Sequence, residues 1–166
     1  YALISSEITN HILNSFQIYF FQSIYDSNEK DIHTIQHWYT NATKQEDAMY
    51  CMQKLVTILK NGQVIIFSNS KDDIILFCEY LSSNNITCVP YYPDLTLEEK
   101  DSNLNSFRNG EYKVLVGTYD ISIGIDFPNV NLVINYHISL ELGINNNVYD
   151  IYGYCASRTG RFGRNG

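Results

Sequence analysis

The sequence predicts an open α/β sheet, mainly parallel, with helices on both faces. Three observations carry that expectation. Runs of consecutive apolar residues such as Val64-Ile65-Ile66-Phe67 suit strands covered on both sides. Segments of helical period lie between those runs, and cap or turn residues mark the junctions.

In chain order, Asp31 to Thr40 is a short β-leaning run. Lys44 to Leu59 then places Ala48, Met49, Cys51, Met52, Leu55, Val56, Ile58 and Leu59 at helical spacing before Asn61-Gly62 stops it. Val64 to Phe67 is a strand. Ser70-Lys71-Asp72-Asp73 starts a helix through about Leu81, with Ile74, Ile75, Phe77, Cys78 and Leu81 as its buried side. Ile86 to Val89 is the next strand. Thr96 and Glu99 have capping-box spacing at the head of a helix reaching Phe107, and Asn109-Gly110 ends it. Val114 to Val116 and Leu132 to Ile134 complete the strands. In such a sheet ligands bind at the carboxyl ends of the strands, which gathers the loops 68–71, 91–96, 117–126 and 135–147. Residues 1–30 break the rhythm: they read as an amphipathic helix over Glu7 to Phe21 and then a polar linker, with 31–166 as the main domain.

At 166 residues, 45% apolar and 17% charged, the chain is long enough for one domain with a substantial core. Its apolar runs fall far short of the roughly 18 residues that a membrane-spanning helix needs. Starting at Tyr1 without a basic and then apolar leader, it reads as a piece of something longer. The four cysteines form no Cys-x-x-Cys pair and read as reduced thiols. His33 and His37 lie in a β-leaning run without an acidic or cysteine partner, so no metal site is expected.

A net charge of −7 argues against a domain that holds polyanions by bulk charge. Yet three of its four arginines, Arg158, Arg161 and Arg164, fall in the last nine residues, spaced by Gly160 and Gly163. Planar guanidinium forks among glycines suit a phosphoryl group whose charge spreads in a transition state. A solvated basic tail is the plainer reading of the same cluster.

Several segments together resemble the DEAD-box RNA helicases. Ser157 to Arg164 (SRTGRFGR) resembles the family's final arginine motif, and Val64 to Lys71 (VIIFSNSK) resembles motif IV. Phe107-Arg108-Asn109-Gly110 resembles the Phe-Arg-x-Gly that follows, and Val114 to Asp126 (VLVGTYDISIGID) resembles motif V. The resemblance covers residues 32–164 and implies a RecA-like fold, the second such domain of a two-domain ATPase that clamps and unwinds RNA. The long connection Tyr136 to Tyr154, with HISLELGINNNVYDIY, resembles the extended loop of the nuclear mRNA-export branch. Leu3-Ile4-Ser5-Ser6-Glu7 sits where the first domain's Ser-Ala-Thr motif would end, which would make residues 1–30 a remnant of that domain.

Carried over position by position, the resemblance makes Arg158 and Arg161 the γ-phosphate arginines and Asp126 the carboxylate that meets the ATP ribose, with Gly124 the adjacent motif V glycine. Thr118 is the threonine that meets an RNA phosphate, and Ser70 and Lys100 fall where motifs IV and IVa touch the RNA backbone. Taken alone, Thr118 reads as a strand-end hydroxyl capping a turn and Lys100 as part of a solvated helix face. The resemblance also implies ATP with Mg²⁺ held mainly by the missing first domain, RNA and that domain as partners, and an mRNA-export activator at the nuclear pore. A nuclear or cytoplasmic location follows from the same resemblance.

The departures matter. Tyr154 and Cys155 stand where the family has His-Arg, Ser157 replaces a glycine, Ile123 the motif V arginine, and Pro93 the motif IVa glycine. Neither a Gly-x-x-x-x-Gly-Lys-Ser/Thr loop nor an Asp-Glu-Ala-Asp sequence occurs, so this chain by itself is not expected to turn over ATP. Two rival readings remain: a divergent, non-catalytic member that serves as a protein-docking module, and an unrelated flavodoxin-like regulatory domain.

Overall fold

The computed structural model describes residues 2–3, 19–21, 37–40, 42–122, 125–136 and 148–159. In chain order the elements are β1 (Ala2–Leu3), β2 (Tyr19–Phe21), β3 (His37–Tyr39), α1 (Gln45–Ile58), β4 (Gln63–Phe67), α2 (Lys71–Ser83), β5 (Cys88–Tyr91), α3 (Leu97–Arg108), β6 (Val114–Gly117), β7 (Val130–Asn135) and α4 (Val148–Ala156). A 3-10 turn, Tyr119–Ser122, follows β6.

The strands form one sheet in the order β2-β3-β1-β7-β4-β6-β5. The four strands β7, β4, β6 and β5 run parallel, with Ile65 opposite both Leu115 and Val133. The side-chain period of two then sorts the core. Val64 and Ile66 of β4 face α1 and α2 and pack with Leu55, Ile74, Phe77 and Leu81. Ile65 and Phe67 face the other way, toward Leu104 and Phe107 of α3 and Cys155 and Ala156 of α4. Helices cover both faces, as the unbroken apolar strands predicted. All five residues of β4 are buried, and at about 25 cal/mol per Å² this two-sided burial is the main source of cohesion.

Local chemistry explains the helix ends. Ser70 caps α2 by accepting the Asp73 amide, and Thr96 and Glu99 close a complete capping box on α3. At the far end of α3, Gly110 (φ +80°) adopts the left-handed conformation while its amide donates to Phe107 and that of Glu111 donates to Ser106, a Schellman closure. Asn85 (φ +61°) does the same for α2, which therefore runs two residues past the expected Leu81. Along α2, Ile74, Phe77 and Leu81 are buried as expected, whereas Ile75 and Cys78 are only half-buried.

Three expectations need correction. The strand expected at Ile86 to Val89 lies at Cys88–Tyr91, because pairing of Cys88 with Val114 through Tyr91 with Gly117 sets its register. Pro90 is tolerated there because β5 is the edge of the sheet and its missing N–H breaks no further ladder. Residues 19–21, the last three of the helix expected over Glu7 to Phe21, form β2 instead, where Tyr19-Phe20-Phe21 pairs antiparallel with Tyr39-Trp38-His37. Aromatic residues on both strands favour the pleated arrangement. Residues 4–18 and 22–30, which carry the rest of that helix and the linker, lie outside the described residues. Finally, the Tyr136 to Tyr154 connection ends in α4 instead of running on as loop.

Candidate functional site

The carboxyl ends of the parallel strands are stitched together by backbone. The Ser68 amide donates to the Gly117 carbonyl at 3.0 Å, the Tyr136 amide to Phe67 at 2.9 Å, and the Thr118 amide to Tyr91 at 3.2 Å. Four loops of distant sequence position thus start from one rim. Gly117 permits the crowding: a Cβ there would lie 2.9 Å from the Tyr91 carbonyl oxygen.

On this rim Ser70 opens α2. Its amide donates to the Ser68 hydroxyl at 3.3 Å, and Ser68 itself is buried. Beyond β5, Lys100 reaches back from α3, donating to the Pro93 carbonyl at 2.6 Å, with its ammonium 5.9 Å from the centre of the Tyr91 ring. It is therefore tied to the loop, unlike a residue of a purely solvated helix face. Lys71 is tied to the same loop in a similar way, bridging Asp94 at 2.7 Å and lying over the Tyr92 ring at 5.1 Å. The Lys71 hydrogen bond and charge hold the Asp94 carboxyl below its ordinary range. Thr118 donates from its hydroxyl to the Asp120 carboxylate, the turn-capping role its position after a strand suggested, in the segment whose motif V match implied an RNA-phosphate contact.

Arg158 has the most constrained side chain of the set. It is only 7% exposed, and its Nη1 donates to the Ile125 carbonyl at 2.6 Å, Nε to Tyr154 at 3.2 Å and Nη2 to the Ser157 hydroxyl at 3.1 Å. A buried guanidinium is tolerable only with its N–H groups satisfied, and backbone carbonyl dipoles do this here. A solvated basic tail does not describe Arg158. The bond to Ile125 fastens the turn after α4 to the motif V segment, at the residue before the exposed Asp126. Gly124, Ile123, Arg161 and Arg164 lie outside the described residues.

One of the replaced positions has become core. Cys155 is wholly buried against Tyr119, Ile121 and Phe127, and burial pushes its thiol up to about 12. Tyr154 next to it is exposed. Tyr119 stacks on Phe67 with ring centres 5.4 Å apart, and burial raises its phenol above the ordinary value. Sequence reasoning missed two participants. The Ile125 carbonyl carries no side-chain signal. α4 could have been read from the Tyr152, Cys155, Ala156 spacing.

As a test of fit to ATP and Mg²⁺, the exposed Asp126 suits a ribose hydroxyl, whereas Nε, Nη1 and Nη2 of the buried Arg158 are already bonded to oxygens of the chain. Among the described residues no group of three or more His, Cys, Asp or Glu gathers to hold a metal ion.

Four parallel strands with helices on both faces are the architecture of a RecA-like domain, and comparison with known proteins specifies which. The helicase conserved C-terminal domain matches residues 47–166. The solved C-terminal domain of the DEAD-box protein Dbp5 is 30% identical, with a TM-score of 0.65 over 76% of this chain and 69% of that one. Saccharomyces cerevisiae Dbp5 bound to RNA and ADP BeF3 matches with a TM-score of 0.68 at 30% identity, over 76% of this chain and 32% of that one. The Kluyveromyces lactis ATP-dependent RNA helicase eIF4A is 32% identical over 139 residues, 84% of this chain and 33% of that protein. The chain belongs to the DEAD-box helicase C-terminal domain family. It spans about a third (33%) of the length of the curated relatives it matches first.

Proposed function

We propose that this chain is the second RecA-like domain of an ATP-dependent DEAD-box RNA helicase, holding the RNA backbone and supplying arginine fingers to ATP hydrolysis. The observation that carries the reading is the 2.6 Å bond from Arg158 to the Ile125 carbonyl, which ties the arginine motif to the motif V segment at the residue before Asp126. When ATP is bound between this domain and the first, Arg158 and Arg161 bind the γ-phosphate and Asp126, next to Gly124, orients the ribose. Fixed cations of this kind stabilise charge that develops on the transferred phosphoryl group. Ser70, Lys100 and Thr118 offer phosphate contacts from one rim, which hold RNA without reading its sequence. Mg²⁺ and the β- and γ-phosphates fall mainly to the first domain. The length of the 136–154 connection and the likeness to Dbp5, one variant of which was solved bound to a Gle1 variant and IP6, support a role in mRNA export with an activator at the nuclear pore.

The test is RNA-stimulated ATPase of the full-length parent. Arg161→Ala should lower kcat by about 10³ or more, whereas Arg164→Ala, outside the matched pair, should cost far less. Equal small effects, with thermal melts showing both variants folded, would overturn the arginine-finger assignment. The buried Cys155, at a position where the family carries arginine, favours a second reading: a non-catalytic docking module. A parent with no ATPase activity in the presence or absence of RNA would establish it.

A further inference from the structure

Away from the loop rim, two cysteines of different elements face each other. Cys78 lies on the half-buried side of α2, and Cys88 opens the edge strand β5. The Cys88 thiol donates to the Cys78 backbone carbonyl at 3.2 Å, which sets its sulfur directly against that residue. The Ser82 hydroxyl, on the exposed last turn of α2, sits 3.4 Å from Cys88 Sγ. Both residues are half-buried, whereas Cys51 and Cys155 are buried.

We propose that Cys78 and Cys88 form a peroxide-oxidisable dithiol, a modification site that closes an intramolecular disulfide between α2 and β5. The environment divides the roles. The neighbouring Cys78 thiol, with the Ser82 hydroxyl 3.4 Å from Cys88 Sγ, holds the Cys88 thiol below its ordinary value, against the opposing pull of burial. Cys78, against that sulfur and itself desolvated, is raised. Cys88 is accordingly the attacking sulfur. Its thiolate takes the terminal oxygen of a hydroperoxide, forming an S–O bond as the O–O bond breaks and the departing oxide is protonated. The Cys78 sulfur then attacks Cys88; the S–S bond forms, the S–O bond breaks, and the leaving hydroxide takes the Cys78 proton as water. Two thiols lose two electrons, and the peroxide gains them.

The rest of the protein supplies internal controls. Burial raises Cys51 to about 11 and Cys155 to about 12, so neither offers a thiolate near neutral pH. The experiment is hydrogen peroxide treatment of the reduced chain, followed by intact-mass measurement and peptide mapping without reductant. The expected result is a loss of about 2 Da, the two thiol hydrogens, with one linked peptide pair carrying Cys78 and Cys88, reversed by dithiothreitol. Cys78→Ser should instead stop at the oxygen adduct on Cys88, and Cys88→Ser should abolish reaction at this site. Should either variant fail to fold, alkylation of the unmodified chain by iodoacetamide at neutral pH decides the assignment of roles, with Cys88 labelled at least tenfold faster than Cys51 and Cys155. Equal labelling of all four thiols, or oxidation that leaves Cys78 and Cys88 unlinked, would overturn the proposal.

Discussion

Arg158 shows how one buried cation organises this rim. Its Nε, Nη1 and Nη2 all meet oxygens of the chain itself, so Arg158→Ala would strip the Ile125 carbonyl of its partner. The expected cost is about 1–3 kcal/mol, measurable by urea unfolding, and Arg158→Lys should recover only part of it because an ammonium lacks the planar fork. Cys51 and Cys155 make a second prediction, on pH. Burial raises both above the value of about 9 that an unfolded thiol keeps, so the folded state retains protons that the unfolded state has released. Their contribution is whole below pH 9 and is lost as the pH rises toward 11–12. The melting temperature should therefore fall across pH 9–11, and the double replacement Cys51→Ala with Cys155→Ala, though less stable at neutral pH, should show a flatter slope.

Among elements, α1 illustrates stabilisation from outside the helix. Its last turn contains no basic residue, yet Lys113, just before β6, donates to the Leu59 carbonyl at 2.8 Å and to the Gly62 carbonyl at 2.6 Å. A cation at a helix C-terminus meets both orphan carbonyls and the negative end of the dipole. Lys113→Met should destabilise the chain by about 1–2 kcal/mol in denaturant unfolding, with no shift of the far-UV spectrum before the transition. The Gln45–Ile58 period was plain in the sequence, but a lysine some fifty residues away could not be recognised as its cap. Nor could the register of β5 be read locally: Ile86 and Thr87 look as strand-like as Cys88 and Val89, and only pairing with β6 chooses between them.

For the whole molecule, the missing phosphate loop and acidic box lead to a plain expectation. The 166-residue chain alone should show no ATP turnover and only weak nucleotide affinity. Its RNA affinity should be weak and fall with salt, the logarithmic slope corresponding to about 0.7 per phosphate contacted on a single strand. Titration of an unstructured RNA at several salt concentrations checks this, and a salt-independent, sequence-selective affinity would contradict backbone binding. An acidic chain of net charge −7 depends for such contacts on a few placed groups, not on its overall field.

Local sequence was sufficient wherever the deciding interaction is local. The apolar runs of β4, β6 and β7, the capping box at Thr96 and Glu99, and the stop at Asn109-Gly110 depend on neighbours within about four residues, and they stand where the sequence placed them. The ordered motifs likewise marked the family. Tertiary structure alone decided what depends on contacts between distant segments. It added β1, β2 and β3 to the parallel sheet as antiparallel strands, buried Cys155 in a hydrophobic cluster, and turned Arg158 from a residue of an apparent basic tail into a buried clamp on Ile125. The physical reason is the same in each case: burial and a backbone carbonyl's choice of donor are properties of the assembled sheet and its helices, and no window of sequence contains both partners.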